Sequence, residues 1–370
     1  MTSALALVMS CSERSATEPA MNAASFSASV AAERPVFLSE PVLMSIPTYD
    51  GSGQSVHPDV VAFGSAWHGA RYWLTMTPYP KSDQHLENPS ILASDDGESV
   101  RVPGGVANPV IKAPGKRKDY NSDPELVYEP QSDQLVLFHR FVEAKTNTIH
   151  VATSHDGVTW THLRAPFWER AHNLVSPTVA PRAAAPARMW YVSAGKAGCD
   201  ARSTTVMLRT ATDTTGRVVD TKWAGATRTD LSIPGYNIWH IKARWIPEKT
   251  EYWMLISAFP VNGDGCKTDD LFFARSTDGQ HWTAYAQPVL RHQDRAWTAA
   301  TVYRSSFLYD AANDVLELWI SGRGTDGTWG MGHARARFST LLSALERNVQ
   351  VSPNSRVVYT APALQPGDLP

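Results

Sequence analysis

The sequence has few cysteines, no long apolar run and no excess of charge of either sign. Its 34 basic residues nearly balance its 36 acidic ones, and no basic stripe marks a nucleic-acid-binding face. No stretch approaches the roughly 18–20 consecutive apolar residues that a membrane-spanning helix requires. No long segment shows a helical period, and Leu341–Arg347 is predicted to form at most a short turn. Nucleic-acid-binding, membrane-spanning and mainly helical proteins are therefore excluded.

Aromatic and turn-forming residues are abundant instead. The 370 residues include 13 Trp, 12 Tyr, 25 Pro and 23 Gly, a composition that favours many short strands joined by turns. Three segments carry the pattern S-x-D-G, at Ser94–Gly97, Ser154–Gly157 and Ser276–Gly279, and the last two lead to Trp160 and Trp282. In such a turn Ser and Asp bond nearby backbone and Gly takes a positive φ. We assign these turns a structural role.

One strand motif recurs with different polar residues at its head. It reads Y-N-S-D-P-E-L-V-Y-E-P at Tyr120–Pro130, H-I-K-A-R-W-I-P at 240–247 and R-S-S-F-L-Y at 304–309. Superposing the aromatic residues of the three copies places Asp123, His240 and Arg304 at equivalent positions. A repeated strand whose first polar group changes in this way suggests one repeat that carries several site residues.

The repeats have a period of roughly 45–60 residues, which is typical of propeller blades. We predict an all-β, five-bladed β-propeller with blades at 56–102, 122–163, 176–223, 238–282 and 301–338. Segments 34–48 and 346–360 are expected to add edge strands that close or decorate the ring, because an open sheet edge invites aggregation. The propeller would form a single domain over residues 34–370, and we expect a monomer.

Residues 1–33 are predicted to be a remnant of a lipoprotein signal followed by a flexible tether. Met1–Cys11 is short and apolar with small residues before its cysteine, although the usual basic start of such signals is missing. The alternative is a plain apolar tail. A lipid anchor at Cys11 would place the protein outside the cytoplasm, as a periplasmic or outer-membrane-anchored lipoprotein, or the protein would be secreted. Export permits disulfides; Cys199–Cys266 is the expected pair, with two free thiols as the alternative.

The architecture predicts where polar residues meet. In a propeller the first strand of each blade lines the central channel, and the loop between the second and third strands returns to the same face. The first strands contribute His57, Asp59, Asp123, Glu125, Ser176, His240, Lys242 and Arg304. The third strands and their loops contribute Tyr79, Glu87, His139, Arg140, Glu143, Asn147, Asp269, Asp270 and Arg323. Carboxylates that meet basic and aromatic groups in this way are typical of sugar recognition and acid–base cleavage.

Five blades, the Ser122-Asp123-Pro124 opening of the second blade and the S-x-D-G-x-x-W turns resemble the five-bladed glycoside hydrolases of families 43 and 117, with families 32, 68 and 130 as relatives. The resemblance implies a carboxylate base from blade one, a pKa-tuning carboxylate from blade two and an acid from a later blade. Asp123 matches the second role. The chain departs from the pattern because His57 stands where an acid is expected and Ser176-Pro177 replaces the E-G-P of the acid.

These roles lead to a set of assignments. Asp59 is predicted as the general base, Asp123 as the residue that tunes and orients, and Glu87 or His240 as the acid, with separations that depend on the stereochemistry. Substrate binding is assigned to His57, Glu125, Arg140, Ser176, Trp239, Lys242, Asp269 and Arg304. Trp239, Trp297 and Trp329 are the tryptophans best placed to stack on a sugar ring.

The sequence thus predicts an exported glycoside hydrolase that cleaves a polysaccharide or oligosaccharide, furanoside-type by the resemblance. The alternative is a non-catalytic propeller that binds carbohydrate or another surface. Nucleic acid is not an expected partner. No cofactor is required by the predicted chemistry, and no dense ligand spacing indicates a dedicated metal site. The resemblance to family 43 nevertheless allows a calcium ion in the central channel near His240.

Overall fold

The computed structural model describes residues 32–359 except 114, 116–118, 145, 264, 266, 352 and 353. Five antiparallel sheets follow one another along the chain as blades, and Glu33–Val357 forms one compact unit. The predicted all-β, five-bladed propeller is confirmed. Cys11 and Cys266 lie outside the described residues, so the lipid anchor and the disulfide stay predictions.

The first half of the chain builds two edge strands and three blades. The edge strands are β1 (Ala32–Pro35) and β2 (Phe37–Leu43). Blade one consists of β3 (Ser55–Trp67), β4 (Ala70–Pro78), β5 (Ser90–Ser94) and β6 (Val100–Arg101). Blade two consists of β7 (Tyr120–Glu129), β8 (Gln134–Glu143), β9 (Thr146–Ser154) and β10 (Thr161–Arg170). Blade three consists of β11 (Val175–Ala180), β12 (Arg188–Ser193), β13 (Thr205–Thr210) and β14 (Thr227–Arg228).

The second half builds two blades and the closure of the ring. Blade four consists of β15 (Tyr236–Ile246), β16 (Glu251–Pro260), β17 (Asp270–Ser276) and β18 (Thr283–Ala284). Blade five consists of β19 (Thr301–Val302), β20 (Ser306–Asp310), β21 (Val315–Arg323) and β22 (Trp329–Arg337), and β2 pairs with β22 as its outer strand. The strand predicted within 34–48 therefore closes the ring. In contrast, β23 (Arg356–Tyr359) pairs with β1 in a separate two-stranded sheet.

Helical structure is limited to short segments. The 3₁₀ turns lie at Pro80–Ser82, Gln84–Leu86, Gly198–Asp200, Pro247–Lys249, His292–Asp294 and Ala296–Thr298. The prediction of no more than a turn near residue 341 is wrong, because α1 spans Phe338–Glu346. Its Phe338 ring stacks on Trp253 at 3.9 Å, so tertiary packing stabilises a helix that the local pattern only weakly favours. Within the described ranges no helix is long and apolar enough to cross a membrane.

The S-x-D-G turns lock neighbouring blades together. The ring of Trp319, from blade five, donates its N–H to the carbonyl of Gly97 in blade one at 2.8 Å. Trp190, from blade three, donates in the same way to Gly279 in blade four at 2.8 Å. Gly157 lies so close to Trp73 of blade one that a Cβ there would meet the indole at 2.2 Å. The structural role predicted for these turns fits this packing.

Candidate functional site

A pocket of about 260 Å³ opens at the end of the channel where the innermost strands begin. Its lining groups are imidazole, carboxylate, guanidinium and phenol side chains that come from four blades and the connections between them. The principal ones are His57, Tyr79, Glu87, Tyr120, Asp123, Arg140, His172, Trp239, His240 and Tyr303.

β-Bulges direct side chains at the start of two innermost strands into this pocket. The register between the first and second strands shifts at Val56/Asp59 in blade one and at Ser122/Glu125 in blade two. His57 and Asp123 lie within these shifts with φ of 57° and 50°. A bulge inserts an extra residue and redirects its side chain, and non-glycine residues in this backbone region are strained and cluster at functional sites. Both residues precede a proline, which cannot donate to the sheet ladder.

Three of these side chains, His57, Asp123 and His240, form what we call the upper layer of the channel. Asp123 Oδ1 lies 3.4 Å from His57 Nε2 and 3.3 Å from His240 Nδ1. All three are at least 98% buried. Asp123 Oδ1, His57 Nε2 and both ring nitrogens of His240 have no hydrogen-bond partner among the described residues. Buried polar atoms are nearly always paired, so these atoms remain able to bind a ligand that is polar or charged.

The side chains of the upper layer are in the protonation states that can bind a cation. Burial lowers the pKa of His57 to about 4 and lowers the pKa of His240 well below its usual value. Burial alone would raise the pKa of Asp123, but the neighbouring His57, His240 and Arg140 together hold it below its ordinary value. At neutral pH the layer therefore presents two neutral imidazoles and one carboxylate.

Ligand atoms of these three residues all lie within 4.8 Å of one another. Two imidazoles and a carboxylate suit zinc, manganese or iron, whereas calcium prefers a cage of oxygen atoms. The donor set therefore fits a transition-metal ion better than the calcium ion that the sequence allowed. No short sequence motif indicates this group, because its members lie far apart in the sequence, at positions 57, 123 and 240.

Glu87 lies beside this layer. One carboxylate oxygen of Glu87 is 3.5 Å from His57 Nδ1, and that nitrogen also contacts the Thr77 hydroxyl at 3.1 Å. Burial and then the charge of Asp123 raise the pKa of Glu87 well above its usual value. A carboxyl group with a raised pKa is able to exchange a proton near neutral pH.

Arg140 holds the upper layer from one side. Its guanidinium lies 3.4 Å from Asp123 Oδ2 and 3.0 Å from His172 Nδ1, and its Nε donates to Asn147. The Ser122 hydroxyl donates to the same Asp123 oxygen at 3.1 Å. Because Oδ2 is held in this way, Oδ1 is fixed toward the two imidazoles. Such outer contacts orient a metal-binding carboxylate.

Aromatic rings form the opposite wall. The Tyr303 ring packs edge-on against His240 with centroids 4.2 Å apart, and the Trp239 indole donates to the Tyr303 hydroxyl at 3.4 Å. Tyr79 completes this wall on the blade-one side. Burial raises the pKa of Tyr303 well above its ordinary value, so it remains a neutral phenol.

A lower layer lies two residues further along the same strands and consists of Asp59, Glu125 and Lys242. Lys242 Nζ donates to Asp59 Oδ2 and to Glu125 Oε1, both at 2.7 Å. Arg244 donates to Asp59 Oδ1 at 2.9 Å, and Arg304 donates to Glu125 Oε2 at 2.7 Å. Every carboxylate oxygen here has a cationic partner, so the layer is a closed ion network across the channel.

The structure thus divides the predicted site residues into two groups. Six line the pocket: Glu87, Asp123, His240, His57, Arg140 and Trp239. Asp59, Glu125, Lys242 and Arg304 do not line it, because their charged groups pair with one another below it. This placement argues against Asp59 as the general base, since its oxygens accept from Lys242, Arg244, Ser306 and backbone N–H groups.

Ser176 and Asp269 also lie away from the pocket. The Ser176 hydroxyl bonds the backbone of Ile241 at 3.0 Å and joins blade three to blade four. Asp269 is fully buried, and one of its oxygens accepts from the Thr301 hydroxyl at 3.3 Å. Neither side chain reaches a substrate in this pocket, because both are used in contacts between blades.

Sequence reasoning missed Tyr120, His172 and Tyr303 as pocket residues. His172 lies in the connection between blades two and three, where no repeat position marks it. Tyr303 was detectable, because it directly precedes Arg304 at the register position of blade five, as Trp239 precedes His240 in blade four.

Known proteins resemble this chain in sequence and in fold. A curated relative, the A type blood N-acetyl-α-D-galactosamine deacetylase of Flavonifractor plautii, is 26% identical in an alignment 310 residues long, which covers 72% of this chain. The chain spans 40% of that relative's length. No family model matches.

Two solved structures show the same architecture. An N-acetylgalactosamine deacetylase from F. plautii, in complex with blood group B trisaccharide, superposes with a TM-score of 0.75 and 22% identity, over 84% of this chain and 98% of that one. A thermostable family-43 glycoside hydrolase superposes with a TM-score of 0.54 and 12% identity, over 79% and 92% of the two chains. The protein therefore has the five-bladed propeller fold that these carbohydrate-active proteins share.

Proposed function

We propose that this protein is a metal-dependent hydrolase that removes the acetyl group from an N-acetylated sugar. The observation that carries the proposal is the upper layer, in which two neutral imidazoles and a carboxylate each bring one buried ligand atom to within 4.8 Å of the other two. The similarity to a deacetylase that acts on N-acetyl-α-D-galactosamine supports the choice of bond.

His57, Asp123 and His240 would hold the ion. When bound, a divalent metal supplies Lewis-acid polarisation of the amide carbonyl. Asp123 contributes the negative charge of the donor set, and its second oxygen stays held by Ser122 and Arg140. The two imidazoles are neutral near pH 7 because of burial, so no proton has to leave before they bind.

Glu87 is the group that moves protons. As a base it takes a proton from the water that adds to the acetyl carbonyl carbon. As an acid it returns that proton to the nitrogen as the carbon–nitrogen bond breaks. Acetate and the free amino sugar result, and all atoms of the water are accounted for. The raised pKa of Glu87 supports this exchange of roles.

The aromatic wall would bind the sugar ring itself. Tyr79, Trp239 and Tyr303 offer apolar faces, and the Tyr303 hydroxyl offers a neutral donor beside the imidazoles. Aromatic faces with a few placed polar groups are the usual composition of small-ligand pockets. A small pocket of this kind accommodates one terminal residue of a glycan.

Glycoside cleavage, the function predicted from the sequence, has less support in this geometry. It requires two carboxyl groups flanking the scissile bond, one of which acts as base or nucleophile. Asp59 is committed to Lys242 and Arg244, and Asp123 is committed to Arg140 and the imidazoles. Of the predicted catalytic carboxylates, Glu87 is therefore the one that lines the pocket outside the proposed donor set. Export and a lipid anchor at Cys11 remain proposals beside this one.

One substrate with two readouts tests the proposal. The purified protein, supplied with Zn²⁺ or Mn²⁺, is incubated with p-nitrophenyl N-acetyl-α-D-galactosaminide. Deacetylation releases acetate, which a coupled enzyme assay detects, whereas glycoside cleavage releases p-nitrophenol. We expect acetate without p-nitrophenol, loss of acetate on chelation, and loss of acetate in Glu87→Gln with an unchanged melting temperature. Release of p-nitrophenol favours the glycosidase, and binding without either product favours the non-catalytic propeller.

A further inference from the structure

A second cavity, of about 380 Å³, lies in blade five and belongs to neither layer of the channel. Its lining combines two indoles, an aliphatic side chain and a polar rim, contributed by Trp297, Trp329, Leu43, Thr325, Asp326 and Thr328. Three of these residues lie in the loop between β21 and β22, and Trp297 lies in the 3₁₀ turn that precedes β19. Both connections open on the face that carries the candidate pocket.

Trp329 separates the two cavities. Its ring centroid lies 5.1 Å from Tyr79 and 5.0 Å from Tyr303, and both tyrosines line the candidate pocket. The Trp329 indole donates to the Ser82 hydroxyl of blade one at 2.9 Å, which fixes the ring. The second cavity is therefore one aromatic layer away from the place where a terminal sugar would bind.

Two glycines keep the second cavity open. A Cβ at Gly332 would lie 2.5 Å from the Trp297 ring, and a Cβ at Gly330 would lie 2.6 Å from Leu43. Trp297 and Leu43 thus approach strand β22 only because it carries no side chain at these two positions. Larger residues at these positions would displace Trp297 and Leu43, which both line the cavity.

The chemistry of this lining suits a neutral sugar. Asp326 accepts from the backbone N–H and the hydroxyl of Thr328, both at 3.0 Å, so its carboxylate is oriented and keeps further lone pairs. The Trp297 indole N–H has no partner among the described residues. Aromatic faces bind the apolar faces of a sugar ring, while a carboxylate and hydroxyls bind its hydroxyl groups.

We propose that this cavity is a second sugar subsite, which binds a neutral sugar residue further along the glycan than the one in the candidate pocket. The proposal rests on the proposed function for the identity of that terminal sugar. It assigns to Trp297 and Asp326 the selection of oligosaccharides over single sugars.

Fluorine NMR tests whether a sugar binds in the second cavity. The full chain is labelled with 5-fluorotryptophan, the Trp297 signal is assigned with Trp297→Phe, and blood group B trisaccharide or galactose is titrated. We expect the trisaccharide to shift the Trp297 signal and galactose to leave it in place. Asp326→Ala should weaken trisaccharide binding about tenfold and leave galactose binding within twofold. Trp168→Ala, which removes an exposed indole on blade two, is the matched control and should change neither.

The outcomes separate this proposal from the proposed function. A Trp297 signal that the trisaccharide does not move, or equal effects of Asp326→Ala on both sugars, overturns the subsite. Acetate release is measured on the same protein with p-nitrophenyl N-acetyl-α-D-galactosaminide, which has one sugar ring. A shifted Trp297 signal without acetate release keeps the subsite and removes the deacetylase, and acetate release without the shift does the reverse.

Discussion

The upper and lower layers of the channel come from the same three strands, two residues apart, yet they differ in how completely their polar atoms are paired. In the lower layer Lys242 contacts Asp59 and Glu125 at 2.7 Å, and the arginines take the remaining oxygens. In the upper layer Asp123 Oδ1 lies 3.3 and 3.4 Å from imidazole nitrogens without forming a hydrogen bond to a described residue. A saturated cluster stabilises the ring, whereas an unsaturated one retains capacity for a ligand.

Removing one upper-layer imidazole should have the largest effect. In His240→Ala we expect acetate release to fall at least about 10⁴-fold, because the proposed metal would supply several kcal/mol of transition-state stabilisation and each 1.4 kcal/mol is tenfold in rate. His155→Ala, which removes an exposed imidazole, is the control. Full activity in His240→Ala would show that the upper layer holds no functional ion.

Lys242→Met tests whether the lower layer stabilises the ring. It leaves two buried carboxylates without their shared cation, so we expect the free energy of unfolding in urea to fall by about 3–5 kcal/mol. Arg101→Met, which breaks the exposed pair with Asp95, should cost less than about 1 kcal/mol. Equal stability of the two variants would mean that the lower layer does not hold the ring.

Arg140 is predicted to affect the affinity for the proposed metal, because it orients Asp123. Replacing Arg140 by Met leaves Asp123 Oδ2 held by the Ser122 hydroxyl without the guanidinium, and we expect the dissociation constant for Zn²⁺ to rise about 10- to 100-fold, as for other residues that orient a ligand. Arg209→Met, which loses a pair with Glu169 between blades three and two, should leave the constant unchanged. Competition with a chromogenic chelator measures both; identical constants would remove the orienting role.

The smallest effect concerns the S-x-D-G turns, far from either layer. Burial opposes ionisation of Asp156, but backbone N–H groups of Thr159 and Val158 lower its pKa to about 2. A depressed folded pKa stabilises the protein above pH 4, and this contribution is lost as the pH falls toward 2. Asp156→Asn should therefore cost less than about 1 kcal/mol at pH 6 and clearly less at pH 2, as measured by urea unfolding. A cost that does not change with pH would contradict the assignment.

Much of the architecture was readable from the sequence because the propeller repeats. The turns at Ser94, Ser154 and Ser276 and the strand heads at Asp123 and His240 recur with a period, and the ring places such positions together. The closing strand β2 was also expected, since an unpaired edge on blade five is a liability.

The division of the channel residues into an upper and a lower layer could not be predicted from the sequence. Asp59 and Asp123 both head a strand beside a proline, and nothing local distinguishes a carboxylate that will be saturated from one that will not. The difference depends on which cations face each residue across the channel, and the closed ring alone sets those distances. For the same reason His57, Asp123 and His240 gave no metal signature, because their ligand atoms meet only after folding.

Metal stoichiometry tests the central claim most directly. Wild-type protein, Lys242→Met and a His57→Ala/His240→Ala double variant are loaded with Zn²⁺, dialysed against metal-free buffer and analysed by inductively coupled plasma mass spectrometry. We predict one equivalent in the wild type, one equivalent in the folded fraction of Lys242→Met and none in the double variant. Absence of zinc from the wild type, or equal zinc in the wild type and the double variant, would contradict the account.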